Sequence, residues 1–116
     1  MNAAPKKYTM GFRVWINEEH GHFMGLGRVR LLEHIKNTGS ISSGAKAMKM
    51  SYRQAWQMVE DMNNRSEQPL VKKVLGGKGG GGAVVTEAGE NAIKLFYKLE
   101  NEVMKLSEKL SRQITL

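Results

Sequence analysis

The chain contains no cysteine, and this absence removes disulfides, thiolate metal sites and cysteine nucleophiles together. It also lacks any run of about 18 apolar residues, so no segment reads as a membrane span. The two lysines of the opening MNAAPKKYTM are not followed by an apolar stretch long enough for a signal peptide. A cytoplasmic protein with no membrane partner is expected. Enzymatic signatures are missing too: there is no HExxH, no nucleotide loop and no carboxylate pair beside a histidine. Glu60 and Asp61 are neighbours, which on a helix point to different sides and make a poor acid–base pair. A His-x-His pair, His20 and His22, would share a face in a strand and can bind a metal, but no third ligand is placed nearby and His20 fits a turn better. The expectation is therefore no catalytic residue, no metal, no cofactor and no small-molecule ligand.

What is present is a basic chain of 116 residues, 41% hydrophobic, enough for one domain over 1–116 and no second module. Its net charge of +7 is unevenly spread. Arg28 to Val85 holds ten Lys and Arg against four Asp and Glu, whereas Thr86 onward is balanced at five against five. A polyanion is the natural partner of that middle stretch, although basic surfaces also suit acidic proteins.

Within it, Thr38 to Asn64 divides into two short helical patterns. Gly39 ends the preceding helix, Ser40 or Ser42 can cap the next, and Ile41, Ala45 and Met48 recur at helical spacing. Ser51 can cap a second helix whose Ala55, Met58, Val59 and Met62 share one side, opposite Arg53, Gln57, Glu60 and Asn64. Joined only by Lys49 and Met50, the two must cross steeply, which is a helix-turn-helix. The second helix then offers Tyr52, Arg53, Gln54, Trp56 and Gln57 outward, and Arg and Gln are the side chains that match guanine and adenine edges in the major groove. Trp56, at the edge of the apolar arc, also suits a core position.

Around this unit the pattern predicts further elements. Phe12, Val14 and Ile16 alternate with Arg13 and Trp15, so Tyr8 to Ile16 reads as a strand, Asn17 to Gly21 as a turn and His22 to Leu26 as a return strand. A helix follows from about Arg28, with Val29, Leu31, Leu32 and Ile35 inward; Arg28 near its start is a phosphate candidate, while Arg30 and Lys36 read as solvated. Pro69 blocks helical continuation, Leu70 to Leu75 reads as a strand bearing Lys72 and Lys73, and Ala83 to Val85 returns after a glycine loop carrying Lys78. That hairpin behind a helix-turn-helix is a wing. The loop fails as a phosphate-binding P-loop, because Lys78 is followed by glycines and a strand instead of Ser or Thr and a helix. Thr86 can cap a last helix to about Arg112, where Ala92, Phe96, Leu99, Val103, Leu106 and Leu110 step by 4, 3, 4, 3 and 4. A seam that long suits a second copy of the chain better than its own small domain, although packing within the domain is the alternative.

The run GRVRLLEHIKNTGSISSGAKAMKMSYRQAW, followed by PLV and GGKGGGGAVVTEAG, resembles the N-terminal winged-helix domain of the ModE, molybdate-responsive, family of transcriptional regulators, and more distantly the LysR-type DNA-binding domain. The resemblance spans roughly Phe12 to Leu99. It implies a homodimeric transcription factor with its recognition helix starting at Ser51 and its wing at Leu70 to Val85. Two departures stand out. Lys49 occupies a turn position where the family usually has glycine, and the chain stops at Leu116, before the oxyanion-binding domain that ModE proteins carry, so molybdate sensing is not carried over.

The expected fold class is mainly α with a small β component: a winged helix-turn-helix with an N-terminal hairpin over about 8–26, helix-turn-helix over 28–64, wing over 70–85 and dimerisation helix over 87–112. The expected function is sequence-specific binding of double-stranded DNA at an inverted repeat. Arg53 and Gln57 would read bases beside Tyr52, Gln54 and Trp56, and Arg28, Ser40, Ser42, Ser43, Lys46, Lys49, Ser51, Lys72, Lys73 and Lys78 would hold phosphates. A protein-interaction or non-specific DNA-binding module is the alternative.

Overall fold

A computed structural model describes residues 4–75 and 81–116. The elements run β1 (Trp15–Glu18), β2 (Gly21–Gly25), α1 (Leu26–Thr38), α2 (Ile41–Ala47), α3 (Tyr52–Arg65), β3 (Val71–Val74), β4 (Gly82–Val85) and α4 (Glu87–Ser111). This is a winged helix-turn-helix with a preceding hairpin and a long last helix.

The helix boundaries follow from local chemistry. Gly39 closes α1 in the left-handed region at φ 79°, with its N–H bonded to the Ile35 carbonyl at 2.8 Å, a conformation that costs glycine nothing. The hydroxyls of Ser40, Ser51 and Thr86 each accept a bond from a backbone N–H three residues on, at Ser43, Gln54 and Gly89, and so open α2, α3 and α4. Glu87 and Glu90 add favourable charge to the first turn of α4.

The core forms around α1, whose Val29, Leu31, Leu32 and Ile35 are fully buried because neighbours cover it on several sides. Ile41 and Ala45 of α2, Ala55, Val59 and Met62 of α3, Leu70, Val71 and Ala83 of the wing and Ile93 and Phe96 of α4 complete it. Tyr97 and Glu90 tie α4 to α1 at its rim: Tyr97 donates to Glu33 Oε1 at 2.6 Å, and Lys36 Nζ lies 2.9 Å from Glu90 Oε1. The Glu33 bond, together with burial, pushes the Tyr97 phenol up to about 12.

The wing strands pair antiparallel, Val71 with Val85 and Val74 with Gly82. They are held to the body at both ends: toward the loop Ala83 N–H donates to the Gly39 carbonyl at 2.8 Å, and at the root Thr86 N–H donates to the Leu70 carbonyl at 2.9 Å.

Two expectations change. The hairpin pairs only Trp15–Glu18 with Gly21–Gly25, with its register shifted between Ile16 and Asn17, so the strand read from Tyr8 starts seven residues late. Residues ahead of Trp15 find helical partners instead: Met10 donates its N–H to Ser111 Oγ at 2.8 Å and accepts from Ser107 Oγ at 2.7 Å, while Val14 shares a groove with Val103. This strap runs antiparallel to α4, and its alternation is that of an extended chain lying against a helix. The first helix likewise begins at Leu26, two residues ahead of Arg28.

Candidate nucleic-acid interface

Helix α3 buries Ala55, Val59 and Met62 along one line. The opposite line leaves Tyr52, Arg53, Gln54, Trp56 and Gln57 exposed, with Arg53 and Gln57 one turn apart. Among the described residues none of them is held in an ion pair. Lys46 at the end of α2, Lys49 in the turn and Ser42 and Ser43 at the start of α2 are exposed beside them. Ser40 and Ser51 act as caps through their oxygen, which leaves each hydroxyl proton to donate elsewhere.

Lys49 has φ 56°, and it is the only non-glycine residue among those described with positive φ. A side chain held there costs about 1–2 kcal/mol relative to glycine. Lys49→Gly is therefore expected to raise stability by up to about 1 kcal/mol, the gain being offset in part by glycine's greater freedom in the unfolded chain. Urea denaturation measures it; a loss of stability would show that the lysine makes compensating contacts.

The wing divides its lysines. Strand alternation puts Lys73 on the side facing α3, with Nζ 5.8 Å from the centre of the Trp56 ring. Lys72 points the other way, into a groove with Pro69, Thr86 and Glu87. Lys78 lies outside the described residues.

Arg28 is not part of the exposed basic face. Its side chain is only 17% accessible, and its Nη1 lies 2.7 Å from Asp61 Oδ2 and 2.9 Å from the Phe23 carbonyl. Asp61 also accepts from Arg65 Nε at 3.1 Å, and Arg65 Nη1 reaches Glu18 Oε1 at 2.9 Å. This chain of charges fastens the hairpin to the far end of α3, and the Arg28 side chain is engaged there. Four groups in and beside the network have shifted pKa values, and the bond to Asp61 raises that of the Arg65 guanidinium. Burial raises the Asp61 carboxyl, but the bonds from Arg28 and Arg65 outweigh it and hold it below the ordinary 3.8. The His20 N–H, joined by Arg65, holds Glu18 below 4.5. Burial and then Arg28 push His22 below 6.5.

The signs are separable. A lowered carboxyl stabilises the fold above its unfolded pKa, and that contribution disappears as pH falls through the lower folded value. A lowered histidine binds its proton more readily when unfolded, so stability also declines as pH drops below 6.5. Stability measured from pH 7 to pH 3 is expected to fall in two limbs, the lower flattened by Asp61→Asn and the upper by His22→Asn; an unchanged lower limb in D61N would remove Asp61 from the account.

His20 lies in the hairpin turn, grouped with Glu18 and Glu19 and apart from His22. Glu18 is already engaged by Arg65 and the His20 N–H.

On α4 the expected seam splits. Phe96 is fully buried in the chain's own core, edge-to-face with Tyr97, so it does not face outward, while Ala92 is half-buried and lines a groove with Leu95. The reason is that the first half of α4 covers α1 while only its second half projects. Val103 and Leu110 are half-buried on the strap side, leaving Leu99 at 38% and Leu106 at 51% accessible, with Leu95 at 48% one turn before Leu99. Leu95 extends the stripe by helical spacing that the strict heptad hides. Asn63, also missed, holds the wing; a lone polar residue beside an apolar arc gives no periodic signal.

No family model matches the chain. Curated relatives do. Transcriptional regulator ModE of Yersinia pestis is 52% identical over 69 residues, 60% of this chain and 26% of that protein. The DNA-binding transcriptional dual regulator ModE of Escherichia coli K12 is 46% identical over 84 residues, 72% of this chain and 32% of that protein. The molybdenum-pterin-binding protein MopB of Rhodobacter capsulatus is 43% identical over 99 residues, 85% and 37% respectively. The chain thus spans between about a quarter and two fifths of the length of these relatives. Among solved structures, a LysR family transcriptional regulator superposes with a TM-score of 0.54 at 16% identity, covering 74% of this chain and 28% of that one, a likeness of fold. No helix among the described residues is long and apolar enough to cross a membrane. Over most of its length this chain is a homologue of the ModE-type transcriptional regulators, built on the winged helix-turn-helix that it shares with LysR-type proteins.

Proposed function

We propose that the chain is a sequence-specific double-stranded DNA-binding unit of a transcriptional regulator, acting as a homodimer on an inverted repeat. The observation that carries this reading is the exposed Tyr52–Gln57 surface of α3, free of ion pairs and flanked by Lys46, Lys49 and Lys73. Arg53 and Gln57 present forked donors and an amide to base edges, while the lysines and the Ser42, Ser43 and Ser51 hydroxyls meet phosphates. The names of the ModE relatives point the same way.

Leu95, Leu99 and Leu106, bordered by Val103 and Leu110, are the surface through which two copies pair. Pairing places two α3 helices about 34 Å apart on one side of a duplex. Leu99→Asp with Leu106→Asp is expected to shift sedimentation from dimer to monomer and to weaken binding to a full site at least tenfold, with little effect on a half-site. A variant that still sediments as a dimer would move the interface elsewhere.

Selection of bound duplexes from a random pool, repeated at two salt concentrations, tests the reading as a whole. The expected result is one enriched motif with two-fold symmetry and a steep salt dependence. Binding without enrichment overturns sequence recognition, and an enriched motif lacking symmetry overturns the dimer.

A further inference from the structure

A recognition helix and a wing reach one duplex together only if the angle between them is fixed. Among the described residues two polar side chains of the pair join them, Asn63 at the root and Lys73 at mid-length. Asn63, in the last turns of α3, accepts through Oδ1 from Leu70 N–H at 2.8 Å and Val71 N–H at 3.2 Å, and donates Nδ2 to the Val71 carbonyl at 3.0 Å. Its amide thus satisfies the first turn of backbone at the wing root as a neighbouring strand would. Two helical turns nearer the reading end, the Trp56 ring lies under Lys73 Nζ. Asn63 and Trp56 are seven residues apart and so share a face about 10 Å long, and Val71 to Lys73 advances about 7 Å along β3. The strand therefore runs back along α3 toward Arg53, touching it at root and mid-length.

Resting on the DNA-binding reading above, we propose that Asn63 and Trp56 are positioning residues that lock wing and recognition helix into one rigid piece. Lys73 is thereby held at a fixed offset from Arg53 and Gln57, and Trp56 serves the DNA through that lysine and not by touching a base. The attraction between an ammonium and an indole face favours this pose over a freely moving lysine.

The first test needs no DNA. With Trp15→Phe, Trp56 is the sole tryptophan of the chain, and its emission and acrylamide quenching report the wing's pose. Lys73→Ala is expected to change both, and Asn63→Ala to reproduce that change. Identical spectra for N63A and its parent overturn the proposal whatever the chain binds. The second test uses the best selected duplex: N63A is expected to lower affinity about tenfold on every related sequence, to add little in a K73A background and to add fully to Arg53→Ala. Full additivity of N63A with K73A also overturns it. If N63A does not fold, Asn63→Gln keeps an uncharged amide with the same donor and acceptors but displaces it by one methylene, and is expected to show the same non-additivity at smaller amplitude. A parent protein with no sequence preference would sink the DNA-binding reading while the spectroscopic result stands.

Discussion

Gly89→Ala is expected to destabilise the fold by about 3 kcal/mol, the upper range for overpacking a tight site. Gly89 is buried in the first turn of α4. A methyl group there would stand 2.6 Å from Val85 Cγ1 and collide with the Leu70 carbonyl oxygen. A flexible side-chain end can turn aside, but this oxygen cannot. It accepts the Thr86 N–H at 2.9 Å, and the adjacent Leu70 N–H is bonded to Asn63. Either α4 lifts from the wing root or the root shifts under it, and both open the core around Leu70 and Ile93. Urea denaturation of G89A should show a lower midpoint with an unaltered slope, marking a change in stability and not in surface exposed. A loss below about 0.5 kcal/mol would mean that helix and wing are less closely joined than described.

The second large effect is expected at Arg53. On the preferred duplex Arg53→Ala should cost about 1–3 kcal/mol, and it should relax preference at one position in each half-site, because the base contact proposed for Arg53 is a bidentate one. Lys46→Ala should instead lower affinity alike on all sequences and reduce the salt slope by about one. Titrating both variants against duplexes changed one base pair at a time separates the two. If R53A weakens every duplex by the same factor, Arg53 contacts phosphate and the base-reading residue lies elsewhere on α3.

How much could be read from the sequence depended on the range of the interactions. The helix starts at Ser51 and Thr86, and that of α2 to within Ser40 or Ser42, were legible because a cap, the N–H that it serves and the first apolar turn all lie within a few residues. The exposed face of α3 followed from the same periodicity. The wing was legible because a strand, a glycine loop and a second strand stand next to each other, and the positive φ at Lys49 follows from the position it takes in the turn.

Partners far along the chain were not legible. Arg28 reads as a free cation until Asp61, 33 residues away, is placed beside it. Phe96 obeys the heptad step as well as Leu99 does, and only the packing of α4 over α1 decides which faces inward. The stretch before Trp15 alternates like a strand, but its hydrogen bonds go to Ser107 and Ser111, about a hundred positions on. Asn63 is the clearest case: its three bonds reach residues 70 and 71 through a bend that no repeat foretells.

The bonds from Met10 to Ser107 and Ser111 also have a practical side. Glu87 opens α4 beside the wing, and the helix is 25 residues long, so Met10 is carried roughly 35 Å from the surface that would meet a duplex. A dye or affinity handle attached near Lys6 or Lys7 would therefore hang at the distal tip of the molecule, remote from Arg53. It would stand clear of the duplex itself, while sensing a second copy that docks against the outer half of the long helix.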